Sequence, residues 1–179
     1  MHRLYTLGVI LLLLAGCVSR VDRGQALFFN ETFAGNGRTC VTCHRPAENF
    51  SISPETIAGL PDTDPLFVDV PGLEDPVKLR ADGLILISDE DEDQITEFRQ
   101  TPKLTQLRKL CDRKGNCVTL GLRGDREKNL CDFSNEAIAN HLTKHVPGIP
   151  GTDFRFMSKK ECADMTAYLV SRRVAGVQQ

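Results

Sequence analysis

The chain has 179 residues, enough for one domain with its own core. With 26% charged and 41% hydrophobic residues, the composition excludes wholesale disorder and a multi-span membrane protein. A formal net charge of −2 speaks against binding nucleic acid by phosphate neutralisation. Seven cysteines stand beside no tryptophan, so the cysteines carry most of the chemical information.

Met1-His2-Arg3 is a short basic start, and Leu4 to Ala15 is almost wholly apolar. That run is too short to span a bilayer and has the layout of a secretory signal. It ends in Leu14-Ala15-Gly16-Cys17, which resembles the lipobox of bacterial lipoproteins. The resemblance implies that residues 1–16 are removed, that Cys17 becomes the first residue and bears the lipid, and that residues 17–22 are a tether. It places the protein on the bacterial cell envelope, lipid-anchored and facing the periplasm. Val18, where an Asp would hold a lipoprotein at the inner membrane, points to the outer membrane ahead of the inner. A plain secretory signal with an incidental Cys17 is the alternative.

The domain proper is expected over residues 23–175. A first helix is predicted from Asp22, as N-cap, through Phe29. Gly35-Asn36-Gly37 breaks the chain. Cys40-Val41-Thr42-Cys43-His44 follows, with the Cys-x-x-Cys-His spacing of c-type haem attachment. Two thiols so spaced add to the two vinyl groups of one porphyrin edge, and the adjoining histidine reaches the iron. Cys40, Cys43 and His44 are therefore the expected anchors and proximal ligand of one covalent haem c. A zinc half-site would need two further ligands at matching spacing, and a thioredoxin-like redox pair usually opens a helix after a strand. The sequence offers neither context.

Residues 45–83 carry six prolines and many aspartates and read as a long ordered loop, with one helical turn after Ser53-Pro54. Gly83 to Ile87 is the only strand-like run, and the carboxylates of residues 89–93 read as a solvated surface. A helix is expected from about Phe133, capped by Ser134 or Asn135, running past His141 and His145 to Pro147-Gly148. The last helix opens with the capping box Ser158-Lys159-Lys160-Glu161 and continues to about Arg173. Once lipid and haem have taken three cysteines, Cys111, Cys117, Cys131 and Cys162 remain. An even number in an oxidising compartment suggests two disulfides among three possible connectivities. Cys111–Cys117, closing a short loop, with Cys131–Cys162 is favoured, and four buried free thiols are the alternative.

These pieces resemble a single-haem, class I-like cytochrome c: mostly α, with long Pro-rich loops and a minor strand element. In such proteins an amino-terminal helix crosses a carboxy-terminal one. Here Gly24-x-x-Leu27-Phe28 would be the first, and Ala163 to Leu169, ending in Ala167-Tyr168-Leu169, the second. The glycine would allow close approach, with Phe28 and Tyr168 packing at the crossing. Asn49-Phe50-Ser51, Asp64 to Val68, Leu79 to Leu86, Gly124-Asp125, Ala139-x-His141 and Gly151 to Arg155 resemble, more narrowly, the amino-terminal haem domain of bacterial di-haem cytochrome c peroxidase-like proteins.

The sixth iron ligand decides between electron transfer and catalysis. His141 and Met157 are the leading candidates, with His145 and Met165 behind them. His141 and His145 would share one helix face, and Met157 sits unusually near the cap of the last helix for a methionine ligand. Arg38 is a candidate contact for a haem propionate. The expected function is single-electron transfer between redox proteins met in transient complexes. The alternative is a peroxidase-like enzyme, a haem-based sensor or an accessory subunit, each with an open sixth position.

Overall fold

The computed structural model describes residues 18–89, 95–120 and 126–171. About half of that chain is helical, with two small antiparallel hairpins, so the mostly α expectation holds at that level. The organising contact is between helix α1 (Arg20–Asn30) and helix α7 (Lys159–Ser171). Gly24 lies at the crossing: a Cβ there would sit 2.0 Å from the Asp164 carbonyl oxygen and 2.7 Å from Tyr168 Cβ. Phe28 and Tyr168 pack beside it with ring centroids 5.3 Å apart. Arg23 clamps the same point, its Nε and Nη2 donating to the two carboxylate oxygens of Asp164 at 2.7 and 2.8 Å. Asp164 is buried, and the Arg23 hydrogen bonds hold its carboxyl below the usual range.

Both helices open with reciprocal caps. At α1 the cap is Ser19, whose hydroxyl accepts from Asp22 N at 3.1 Å while Ser19 N donates to Asp22 Oδ2 at 3.3 Å. Asp22 is thus the third helical residue and not the cap, because a serine three residues earlier lets both side chains satisfy orphan N–H groups at once. The helix therefore takes in part of the segment expected as a tether. At α7, Glu161 N donates to Ser158 Oγ at 3.3 Å and Ser158 N to Glu161 Oε2 at 2.8 Å, as the sequence suggested. Arg155 also donates to both oxygens of Glu161, at 2.8 and 3.0 Å. These hydrogen bonds, Arg155 first, hold the Glu161 carboxyl down at about 2, well below its usual 4.5. A carboxyl depressed by folding contributes stability that is complete above about pH 4.5 and is lost as pH falls through about 2. Thermal melts of Glu161→Gln and wild type should accordingly differ at pH 6 and converge toward pH 2; a difference independent of pH would contradict this.

The stretch over residues 45–83 is not one long loop. It holds α3 (Pro54–Gly59), α4 (Pro76–Asp82) and the 3-10 turns Pro46–Glu48 and Pro65–Phe67. Ser53, Asp64 and Asp75 each cap the proline-led turn that follows, accepting from Thr56, Leu66 and Lys78 N. Proline is well placed at a first helical position, where its missing N–H costs nothing. These elements enclose a small core of Ile52, Ile57, Leu66, Leu79 and Ile85.

There are four described strands where one was expected. β1 (Ile85–Asp89) pairs antiparallel with β2 (Ile95–Arg99), Ile85 opposite Arg99. After the short helix α5 (Leu107–Leu110), β3 (Asn116–Leu120) pairs with β4 (Arg126–Asn129), Asn116 opposite Asn129. β2 and β4 are rich in polar residues, and their strand state comes from ladder hydrogen bonds to a partner. Most of the acidic run and Gly124-Asp125 lie outside the described residues.

Helix α6 (Leu130–His141) starts three residues before Phe133 because Asn129, and not Ser134 or Asn135, is the cap, its Oδ1 accepting from Cys131 N at 2.8 Å. It ends at His141. His145 lies beyond the helix, so the two histidines do not share a helical face. The Thr143 hydroxyl, donating to the His145 carbonyl at 2.7 Å, closes a local turn in place of another helical one. The cysteines pair as Cys111–Cys117 and Cys131–Cys162. The second closes a loop of sequence separation 31 and ties the first turn of α6 to α7. On a chain-entropy account it is worth roughly 3–4 kcal/mol, against roughly 2 kcal/mol for the short loop. No helix among the described residues is long and apolar enough to cross a membrane.

Candidate functional site

The Cys-x-x-Cys-His segment forms a single helical turn, α2 (Cys40–Cys43), so the two cysteines stand on one face. Thr42 Oγ1 accepts from Thr39 N at 3.0 Å at its start, and His44 N donates to the Cys40 carbonyl at 3.0 Å at its end. Both thiols are free. Burial pushes Cys40 up to about 12, with the neighbouring Cys43 thiol adding to the effect, and pushes Cys43 up to about 11.

His44 is set by an unusual stretch of backbone. Asn49 and Phe50 both adopt positive φ, 58° each. For a bulky residue such as Phe50 this conformation costs about 1–3 kcal/mol. It turns the Phe50 carbonyl toward the imidazole, which meets it through Nδ1 at 2.8 Å, while Phe50 N donates to the Arg45 carbonyl at 2.9 Å. A carbonyl can only accept, so Nδ1 carries the proton and Nε2 keeps a lone pair in the neutral ring. Burial lowers His44 to about 4, against the opposing pull of the Phe50 and Pro102 carbonyls, and the ring is neutral at physiological pH.

Cys40, Cys43 and His44 stand on the wall of one cavity holding about 850 Å³ of space, open solvent at its mouth included. Phe28, Leu107, Phe133, Ile138, Met165 and Leu169 make much of the wall apolar. α1, α5, α6 and α7 contribute these side chains, so the same packing that builds the main core encloses the cavity. His141 also lines it, at the end of α6. Its Nδ1 is buried with no hydrogen-bond partner among the described residues, and burial lowers the ring to about 4. Thr101 Oγ1, also on the wall, is a second such atom. Such an arrangement can hold a flat apolar group by two thioethers and give it a nitrogen lone pair.

Arg38, two residues before Cys40, does not line the cavity. It is 1% exposed, and its charge is taken up by Glu74, with Nη1 2.6 Å from Oε1. The approach lies outside hydrogen-bond geometry, so the contact is an ion pair. Arg38 Nη2 donates to the Leu66 carbonyl at 2.7 Å, and Glu74 Oε2 accepts from Leu86 N at 3.2 Å. The pair therefore joins the segment leading into the motif to a 3-10 turn and to β1.

The other expected site residues divide. Met157 is buried in the main core, its N–H donating to Asn135 Oδ1 at 3.0 Å, and it is not on the cavity wall. His145 is exposed and pairs with Asp153 at 2.8 Å. Cys17 lies outside the described residues. The sequence reading missed Thr101 and Glu74: a lone Thr before a proline and a Glu among aspartates carry no local signal, and only the fold brings Thr101 to the cavity and Glu74 to Arg38. No group of three or more His, Cys, Asp or Glu suited to hold a metal ion forms among the described residues. No protein-family model, curated protein or solved structure matches this chain.

Proposed function

We infer that the chain is a mono-haem c-type cytochrome that passes single electrons between protein partners in transient complexes. It would be held on the bacterial cell envelope by lipid on Cys17, facing the periplasm. The observation that carries this reading is the placement of Cys40, Cys43 and a tautomer-fixed His44 on the wall of one apolar cavity. These residues fit haem c. The thiols of Cys40 and Cys43 would form the thioethers, and Nε2 of His44 would be the proximal iron ligand. Thr101 Oγ1 offers a hydroxyl to a polar edge, and the largely apolar wall suits the face of the porphyrin. Haem c bound there supplies one reversible electron, at a potential set by its axial ligands and surroundings.

Two other uses of the motif fare worse. A dithiol redox pair works through a depressed thiolate pKa, whereas burial raises both thiols here. A structural zinc site needs four ligands, and no group of three or more His, Cys, Asp or Glu suited to hold a metal ion forms among the described residues.

The test is export in cells carrying haem-attachment machinery, followed by haem staining on a denaturing gel and a pyridine haemochrome assay. One covalent haem per chain is expected in the wild type and none in the Cys40→Ser/Cys43→Ser double variant. A wild-type chain exported without covalent haem would remove the reading. Sustained turnover of hydrogen peroxide by the holoprotein would replace the carrier with a peroxidase-like enzyme.

A further inference from the structure

We propose that His141 is the sixth ligand of the iron, so that the holoprotein is a closed, bis-histidine cytochrome. The inference rests on the haem reading above. It starts from the cavity, whose wall carries two imidazoles, His44 at the end of α2 and His141 at the end of α6. Two of the other three ligand candidates are elsewhere. Met157 packs in the core, and His145 is exposed and bonded to Asp153 through Nδ1.

His141 is also held in place by the segment that delivers the haem motif. Asn36 Nδ2 donates to the His141 carbonyl at 3.0 Å, and Asn36 N donates to the Leu142 carbonyl at 2.8 Å. Gly35 makes this approach possible: a Cβ there would stand 1.7 Å from the Leu142 carbonyl oxygen. At its other end α6 is tied to α7 by Cys131–Cys162. A ligand on such a helix is pre-positioned, which is what a rigid low-spin site needs.

The imidazole itself has no competing duty. Nδ1 makes no hydrogen bond among the described residues. A buried polar nitrogen without a partner is costly, and a cofactor in the cavity is what can relieve it. Met165 shares the wall but sits within α7, next to the Arg23–Asp164 clamp. Its thioether is the competing ligand that the experiment must separate.

The measurement is made on the purified holoprotein, by electron paramagnetic resonance and near-infrared magnetic circular dichroism in the oxidised state. Both methods read the axial pair without any substitution. A bis-imidazole low-spin signature is expected, with no far-red methionine–iron band and no carbon monoxide binding after reduction. His141→Ala should turn the oxidised spectrum high-spin and admit carbon monoxide, and added imidazole should restore the low-spin form. His145→Ala should leave every spectrum unchanged. A far-red methionine band in the wild type, a high-spin wild type, or a His141→Ala holoprotein that stays low-spin would overturn the proposal while the haem reading stands. A wild type without covalent haem would overturn both.

Discussion

Replacing Arg38 with methionine should destabilise the protein by about 3–5 kcal/mol, the cost of leaving one partner of a buried ion pair uncompensated. Arg38 and Glu74 are 1% and 0% exposed at their side chains, so water cannot take the place of the lost guanidinium. The loss extends beyond the charge, because the Leu66 carbonyl also forfeits its donor. The double variant Arg38→Met/Glu74→Met should recover much of the deficit, since apolar side chains of similar volume can fill a buried pair's site. Urea unfolding of the three proteins measures this. A single variant within about 1 kcal/mol of wild type would mean that water reaches Glu74. Arg38 lies two residues before Cys40, so the single variant should also lower the yield of covalent haem.

Gly24→Val should cost at least about 3 kcal/mol, the upper end of the overpacking range. The nearest atoms to a new Cβ are the carbonyl oxygen and carbon of Asp164, at 2.0 and 2.6 Å. These belong to the backbone of α7 and cannot move aside like a flexible side chain. α1 and α7 would have to separate, pulling at the Arg23–Asp164 clamp and opening the Phe28–Tyr168 contact. Because Phe28, Met165 and Leu169 line the cavity, the variant should widen the cavity as well as lower the melting temperature. Gly59→Ala is the control: a Cβ there meets no atom within 4 Å, and the change should be near neutral or slightly stabilising. Comparable melting temperatures for Gly24→Val and Gly59→Ala would show that the crossing is not close-packed.

Local chemistry accounts for what was legible in advance. The Cys-x-x-Cys-His spacing, the capping box at Ser158, the glycine in the first helix and the favoured cysteine pairing all depend on residues a few positions apart or on simple counting. Such signals survive without knowledge of the fold. The misread elements depend on a partner. β2 to β4 exist through their ladders, and the proline-led helices of residues 45–83 through caps whose combined effect composition hides. The end of α6 belongs with them, since its stop at His141 depends on a threonine hydroxyl and on the clamp from Asn36.

The sequence by itself determined the chemistry available: two spaced thiols with an adjoining imidazole, a short basic start followed by an apolar run, and four further cysteines able to pair. Only the tertiary structure decided which groups meet. It put His141 and not Met157 on the cavity of Cys40, Cys43 and His44, turned Arg38 to a buried glutamate, and aimed the Phe50 carbonyl at His44 through strained backbone. The physical reason is separation along the chain. His141 lies 97 positions after His44 and Glu74 lies 36 after Arg38. Contacts over such distances are selected by packing of the whole core and leave no periodicity or spacing in the sequence.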